Sequence, residues 1–158
     1  MATILTIGHG TQQFPVLLEV LRRHGAATII DVRSQPYSRH APDFAKQHLQ
    51  GWCAVSGLGY RWMGRHLGGM PSDPALLDDR GNLDVAALTA TSGFEAAIDT
   101  VATVAAGGRA VLLCAEEDPS HCHRSRVLAP AFLARGHQVL HLRHDGTARR
   151  HQDELDLE

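Results

Sequence analysis

Apolar runs and helical patterns alternate along this chain from one end to the other. The run ILTIG at residues 4–8 reads as a strand ending at glycine, and ATIIDVR (27–33), YRWMG (60–64), RAVLLCAEE (109–117) and QVLHLR (138–143) repeat the type. Continuous apolar runs of this length suit strands buried on both faces of a parallel sheet. Between the first two, Phe14, Leu17, Leu18 and Leu21 recur at helical spacing, with Pro15 suited to a first turn and Gly25 to the end. Asp43 is placed to cap a second helix running through Phe44, His48 and Trp52 to Gly57. Residues 91–108 read as an Ala-rich helix with Phe94, Ile98 and Val101 on one face. Residues 120–136 look helical, with Ser120 as candidate cap, Val127, Leu128, Ala131 and Phe132 facing inward, and Pro130 expected to kink or divide the helix. The glycine-, proline- and aspartate-rich stretch 65–82 is the longest candidate loop.

This alternation predicts an α/β fold, a three-layer α/β/α sandwich around a mostly parallel sheet of about five strands, Rossmann-like or flavodoxin-like. At 158 residues there is room for one domain, expected at 1–145. After it the composition turns to mixed charge, and 146–158 reads as a charged C-terminal tail. No stretch approaches the roughly 18–20 apolar residues of a membrane span, and no basic start precedes an apolar run, so a cytoplasmic protein without membrane contact is expected.

Charge narrows the partners. The formal net charge of −2 excludes nucleic-acid binding through bulk positive charge, so any phosphate binding has to be local. Fourteen of the fifteen basic residues are arginine, the side chain suited to planar, bidentate recognition of anions. Three cysteines, Cys53, Cys114 and Cys122, form an odd set that argues for reduced thiols over a disulfide framework.

Ligands of open α/β sheets collect beyond the carboxyl ends of the strands, and the chemically unusual residues fall there. Strand one delivers Gly8, His9 and Gly10. Strand two delivers Asp31, Arg33 and the loop of Tyr37, Ser38 and Arg39, and strand four delivers Cys114, Glu116 and Glu117, then His121, Cys122, His123 and Arg124. With Ser120 as cap, Cys122, His123 and Arg124 fall in a first helical turn, where unpaired N–H groups favour an anion and lower a thiol's pKa. Cys122 is then a candidate nucleophile, although no arginine lies six residues beyond either Cys114 or Cys122 as a phosphatase-type loop would require. Arg33, Arg39 and Arg124 are candidate anion clamps with Ser38 and His123 beside them. Glu116, Asp31 and His9 are candidates to orient a ligand or move a proton. A structural Asp31–Arg33 pair that staples the following loop is the competing reading of those two residues. Tyr37, Tyr60, Trp62 and His66 are candidates to stack on a base. Cys114, His121, Cys122, His123 and His9 offer soft metal ligands, but their spacing is not that of a metal site, and no cofactor is expected.

The segments TIGHG, DVRSQPYSRHAPDF, YRWMGRHLGG and CAEEDPSHCHRSRVLA followed by GHQVLHL together resemble the uncharacterised family of domain of unknown function 488 (DUF488). By position, the resemblance picks out Gly8 and His9; Asp31, Val32, Arg33, Pro36, Ser38 and Arg39; Leu67, Gly68 and Gly69; and Cys114, Glu116, Pro119, Cys122, His123 and Arg124. Gly10 stands where the family more often has serine. The resemblance implies an α/β fold and a centre at the strand ends, but no reaction.

The residues therefore point to a pocket for a phosphorylated or otherwise anionic, nucleotide-like ligand, in an enzyme acting on a nucleotide or nucleic-acid component. A non-catalytic module that binds nucleic acid or a protein is the alternative, and a zinc or thiol-redox protein the third.

Overall fold

The computed structural model describes residues 1–152. Its strands are β1 (Thr3–Gly8), β2 (Ala26–Asp31), β3 (Gly59–Trp62), β4 (Arg109–Cys114), β5 (Gln138–Leu142) and β6 (Ala148–Arg150). The helices are α1 (Phe14–Arg23), α2 (Lys46–Ser56), α3 (Gly64–Leu67), α4 (Val85–Thr89), α5 (Ser92–Gly107) and α6 (Ala129–Ala134). The strands form one sheet in the order β3-β2-β4-β1-β5-β6, parallel except for β6. This is the expected three-layer sandwich, with one strand more than expected.

Side-chain alternation sorts the core into two halves. On β4, Val111 and Leu113 face a cluster with Phe14, Leu17 and Leu21 of α1 and Leu49 and Cys53 of α2. Ala110, Leu112 and Cys114 face the opposite cluster, with Phe94, Ile98 and Val101 of α5 and Phe132 of α6. The chain thus leaves β1 and β2 toward one face and β4 toward the other. Since β4 lies between β2 and β1, the strand ends that diverge to opposite faces are neighbours, and a crevice opens between them.

Several local expectations are corrected. Asp43 does not cap α2; it lies in a short 3-10 turn, Pro42–Phe44, and its carboxylate accepts from the Phe14 N–H at the start of α1. Ser120 is no helix cap either: Asp118 caps a 3-10 turn, Pro119–His121, and Cys122 follows in extended conformation. The helix beyond opens with a π-helical turn, Arg124–Leu128, before α6, where Pro130 sits in the first turn. Pro130 lacks the N–H that would continue a regular ladder, which accords with the expected division of this helix. The stretch expected as a charged tail from residue 146 contributes Ala148–Arg150 as an edge strand paired with β5, and His151 is buried. Residues 153–158 of that stretch lie outside the described residues. Among the described residues, no helix is long and apolar enough to cross a membrane.

Candidate functional site

Asp31, the last residue of β2, is fully buried and holds Arg33 in a two-point ion pair. Arg33 Nε donates to Oδ1 and Nη2 to Oδ2, both at 2.8 Å, and the Arg33 backbone N–H adds a third contact. The Tyr60 hydroxyl donates to Oδ2 at 2.6 Å. Burial, then the hydrogen bond to Asp31, pushes the Tyr60 hydroxyl far above its ordinary range and keeps it a donor. The Trp62 indole N–H donates to the Arg33 carbonyl at 2.9 Å, so β3 braces the exit of β2.

His9, after β1, completes this network. Burial lowers its pKa to about 4 and Arg33 adds to the effect, so the ring is neutral. Nδ1 lies 2.8 Å from the Gly10 carbonyl, which can only accept, and Nε2 lies 3.3 Å from Arg33 Nη1, which can only donate. That fixes the proton on Nδ1. The ring also stacks on Phe44 at 4.8 Å between centroids. Asp31 and His9 thus engage Nε and one N–H of each terminal nitrogen of Arg33, which also lines a cleft.

On the other side of that cleft lie two thiols. Cys122 Sγ is 2.8 Å from Cys114 Sγ and 3.6 Å from His123 Nδ1. Burial pushes the Cys114 thiol up, and its hydrogen bond with Cys122 adds to the effect, so it stays protonated. The Cys122 thiol is held well below its ordinary value by the hydrogen bond with Cys114 first, and, against burial, by His123 and the Arg124 backbone N–H. Cys122, in extended conformation, leads through His123 into the π-helical turn. Cys53 lies across the sheet, and burial raises its thiol to about 11.

Arg124 is the largest fully buried side chain. Its Nη2 donates to the carbonyls of Glu116 and Glu117 at 3.1 and 2.7 Å, clamping the loop after β4, while Nε and Nη1 have no hydrogen-bond partner. Among the described residues it forms no ion pair with a carboxylate, an unusual state for a buried cation.

The cleft has a volume of about 410 Å³ and is walled by Arg33, Ser34, Gln35 and Tyr37 after β2, by Cys114 to Glu116 after β4, by His121 to His123, and by Gly69 and Met70. Gly68 and Gly69 let the last segment approach. A Cβ on Gly68 would overlap Ser34 Oγ, and one on Gly69 would lie 3.1 Å from the His123 ring. Ser34 Oγ accepts from the Met70 N–H at 2.9 Å.

Of the residues singled out by sequence, Arg33, Glu116, Cys122 and His123 line the cleft, and Asp31 and His9 stand behind Arg33. Arg124 supports the loop from below. Ser38, half-buried, and Arg39, exposed, are not among the lining residues. Tyr37 is at the cleft, Tyr60 and Trp62 brace Asp31 and Arg33, and His66 borders a separate hollow near α5. Among the described residues, no three of His, Cys, Asp or Glu are grouped to hold a metal ion. Sequence reasoning missed Ser34, Gln35 and Met70, whose types carry no signal. It also missed His144, whose Nε2 donates to the Gly8 carbonyl at 2.6 Å.

The profile of the family described as Domain of unknown function DUF488 matches residues 14–130. The chain belongs to the DUF488 family. The matched DUF488 segment holds Asp31, Arg33, the Leu67–Gly69 loop, Cys114 and Cys122, and leaves out Gly8, His9 and β5. No curated protein and no solved structure matches the chain.

Proposed function

We propose that the cleft binds a small anionic, nucleotide-like ligand and presents the Cys122 thiolate to it as a nucleophile, in an enzyme acting on a nucleotide or nucleic-acid component. The observation that carries this reading is that Arg33 and Cys122 wall the same cleft. Arg33 is fixed by Asp31 and His9 with N–H groups to spare, a preorganised donor for an anion's oxygens. Arg124 adds positive charge from beneath without a carboxylate to cancel it. Glu116, exposed at the rim, is the group available to move a proton. A reducing, cytoplasmic setting suits a chain whose three thiols are free.

The test is alkylation of the native protein across pH, read by mass spectrometry at each cysteine, with inorganic phosphate, a nucleoside monophosphate or a short oligonucleotide added. Cys122 is expected to react well below the ordinary thiol pKa of about 8.5, Cys53 to lag far behind, and the monophosphate to protect Cys122. Ordinary reactivity at Cys122, or protection by none of the three, overturns the proposal. Protection by the oligonucleotide alone, lost steeply with salt, replaces it with the non-catalytic binding module.

A further inference from the structure

We propose that Cys122 and Cys114 form a two-electron dithiol–disulfide couple driven by hydroperoxide, Cys122 taking the oxygen and Cys114 resolving the product. This rests on the reading of Cys122 as the nucleophile of the cleft.

Four observations carry it. The two sulfurs lie 2.8 Å apart, inside ordinary non-bonded contact, although seven residues separate them in sequence. The intervening loop is pinned through the Glu116 and Glu117 carbonyls to Arg124, so the approach is part of the fold. Cys122 and Cys114 are only 5% and 2% exposed, which admits a small oxidant at the cleft floor and hinders a bulky disulfide substrate. The third thiol, Cys53, packs on the other face of the sheet and cannot compete for the intermediate.

The steps balance. The Cys122 thiolate attacks the terminal oxygen of a hydroperoxide; an S–O bond forms, the O–O bond breaks, and the departing alkoxide takes a proton from solvent to leave an alcohol, or water when the oxidant is hydrogen peroxide. The Cys114 sulfur then attacks the Cys122 sulfenic acid; an S–S bond forms, the S–O bond breaks, and the hydroxide leaves as water with the Cys114 proton. An external dithiol reductant returns both residues to thiols and is itself oxidised to a disulfide.

The experiment treats the reduced protein with stoichiometric hydrogen peroxide, blocks remaining thiols by alkylation, and cleaves after Glu116 and Glu117 to put the two cysteines on separate peptides. The expected result is loss of two hydrogens, a Cys114–Cys122 cross-linked pair of peptides, an alkylated Cys53, and full reversal by dithiothreitol. Cys114→Ser should abolish the cross-link and leave a Cys122 sulfenic acid that a cyclic 1,3-dione captures, while Cys53→Ser should change nothing. As a check that needs no substitution, a trivalent arsenical should shield Cys114 and Cys122 together from alkylation. Oxidation of Cys122 to sulfinic acid with Cys114 still alkylated, or arsenical protection of neither, overturns the proposal. The cross-link without ligand protection of Cys122 sinks only the anion-binding reading, whereas a Cys122 inert to both alkylation and peroxide sinks both.

Discussion

The carboxylate of Asp43 accepts a hydrogen bond from the backbone N–H of Phe14 at 2.9 Å, so α1 is capped by a segment 29 residues further along the chain. Gln13, the residue in the cap position, makes no such bond. The same 3-10 turn lays Phe44 on the His9 ring, linking the cap to the support of Arg33. Asp43→Ala should therefore cost about 1 kcal/mol, read as a lower urea midpoint at unchanged slope.

The Asp31–Arg33 pair is buried, and removing one partner strands the other's charge. Arg33→Met should destabilise by roughly 3–5 kcal/mol, and Asp31→Leu comparably. The double substitution should cost less than either single one, the residual loss coming from the Tyr60 hydroxyl left without its acceptor. A double-mutant cycle in denaturant checks this. Additive losses would mean that the two charges are solvated in some way their burial does not suggest.

Stability should fall on the acid side. Burial, aided by Arg33, holds His9 at about 4, and burial, aided by Arg124 and His151, holds His141 at about 3. Both lie below the ordinary 6.5, so as pH drops under that value the unfolded chain binds protons that the folded chain refuses. The stabilising contribution is complete above about pH 6.5 and is lost as pH falls toward 4, by up to about 1.4 kcal/mol per pH unit for each ring. Thermal melts from pH 7.5 to 4.5 should show this slope, and His141→Asn, which keeps a partner for the Thr6 hydroxyl, should flatten it.

Two glycines make opposite predictions under the same substitution. Gly51 is exposed in the middle of α2, and nothing lies within 4 Å of an added Cβ, so Gly51→Ala should stabilise by about 0.5–1 kcal/mol. At Gly64, the first residue of α3, a Cβ would overlap the Arg33 carbonyl, and Gly64→Ala should destabilise by about 1–3 kcal/mol. Paired chemical denaturation of the two variants checks both signs.

What the sequence disclosed followed from how local the governing forces are. Strands β1 to β5 and helix α5 announce themselves because their burial is written into contiguous residues, Arg109 to Cys114 most plainly. Asp43 was misplaced because an acceptor next to a helix start looks the same whichever helix it serves, and its partner Phe14 is set by tertiary packing. The edge strand at Ala148–Arg150 carries no apolar pattern; pairing with β5 holds it, and His151 behind it is buried against His141. At the site, sequence chemistry picked out Arg33, Cys122 and Glu116. Of the other two arginines it singles out, Arg39 lies exposed outside the cleft walls and Arg124 is buried beneath the loop after β4. Nothing in residue type says which way an arginine's side chain will run.

The place of β4 between β1 and β2 has a kinetic consequence. The first two strands of the chain never pair with each other, and until residues 109–114 arrive, β1 has neither of its neighbours while β2 can join only β3. A nascent chain therefore carries three open strand edges, two on β1 and one on β2, until β4 emerges. Closure of the sheet waits on contacts distant in sequence, the condition for slow, aggregation-exposed folding. The same late event creates the cleft, because insertion of β4 brings Cys114 beside the exit of β2, so assembly of the site and completion of the fold are one step.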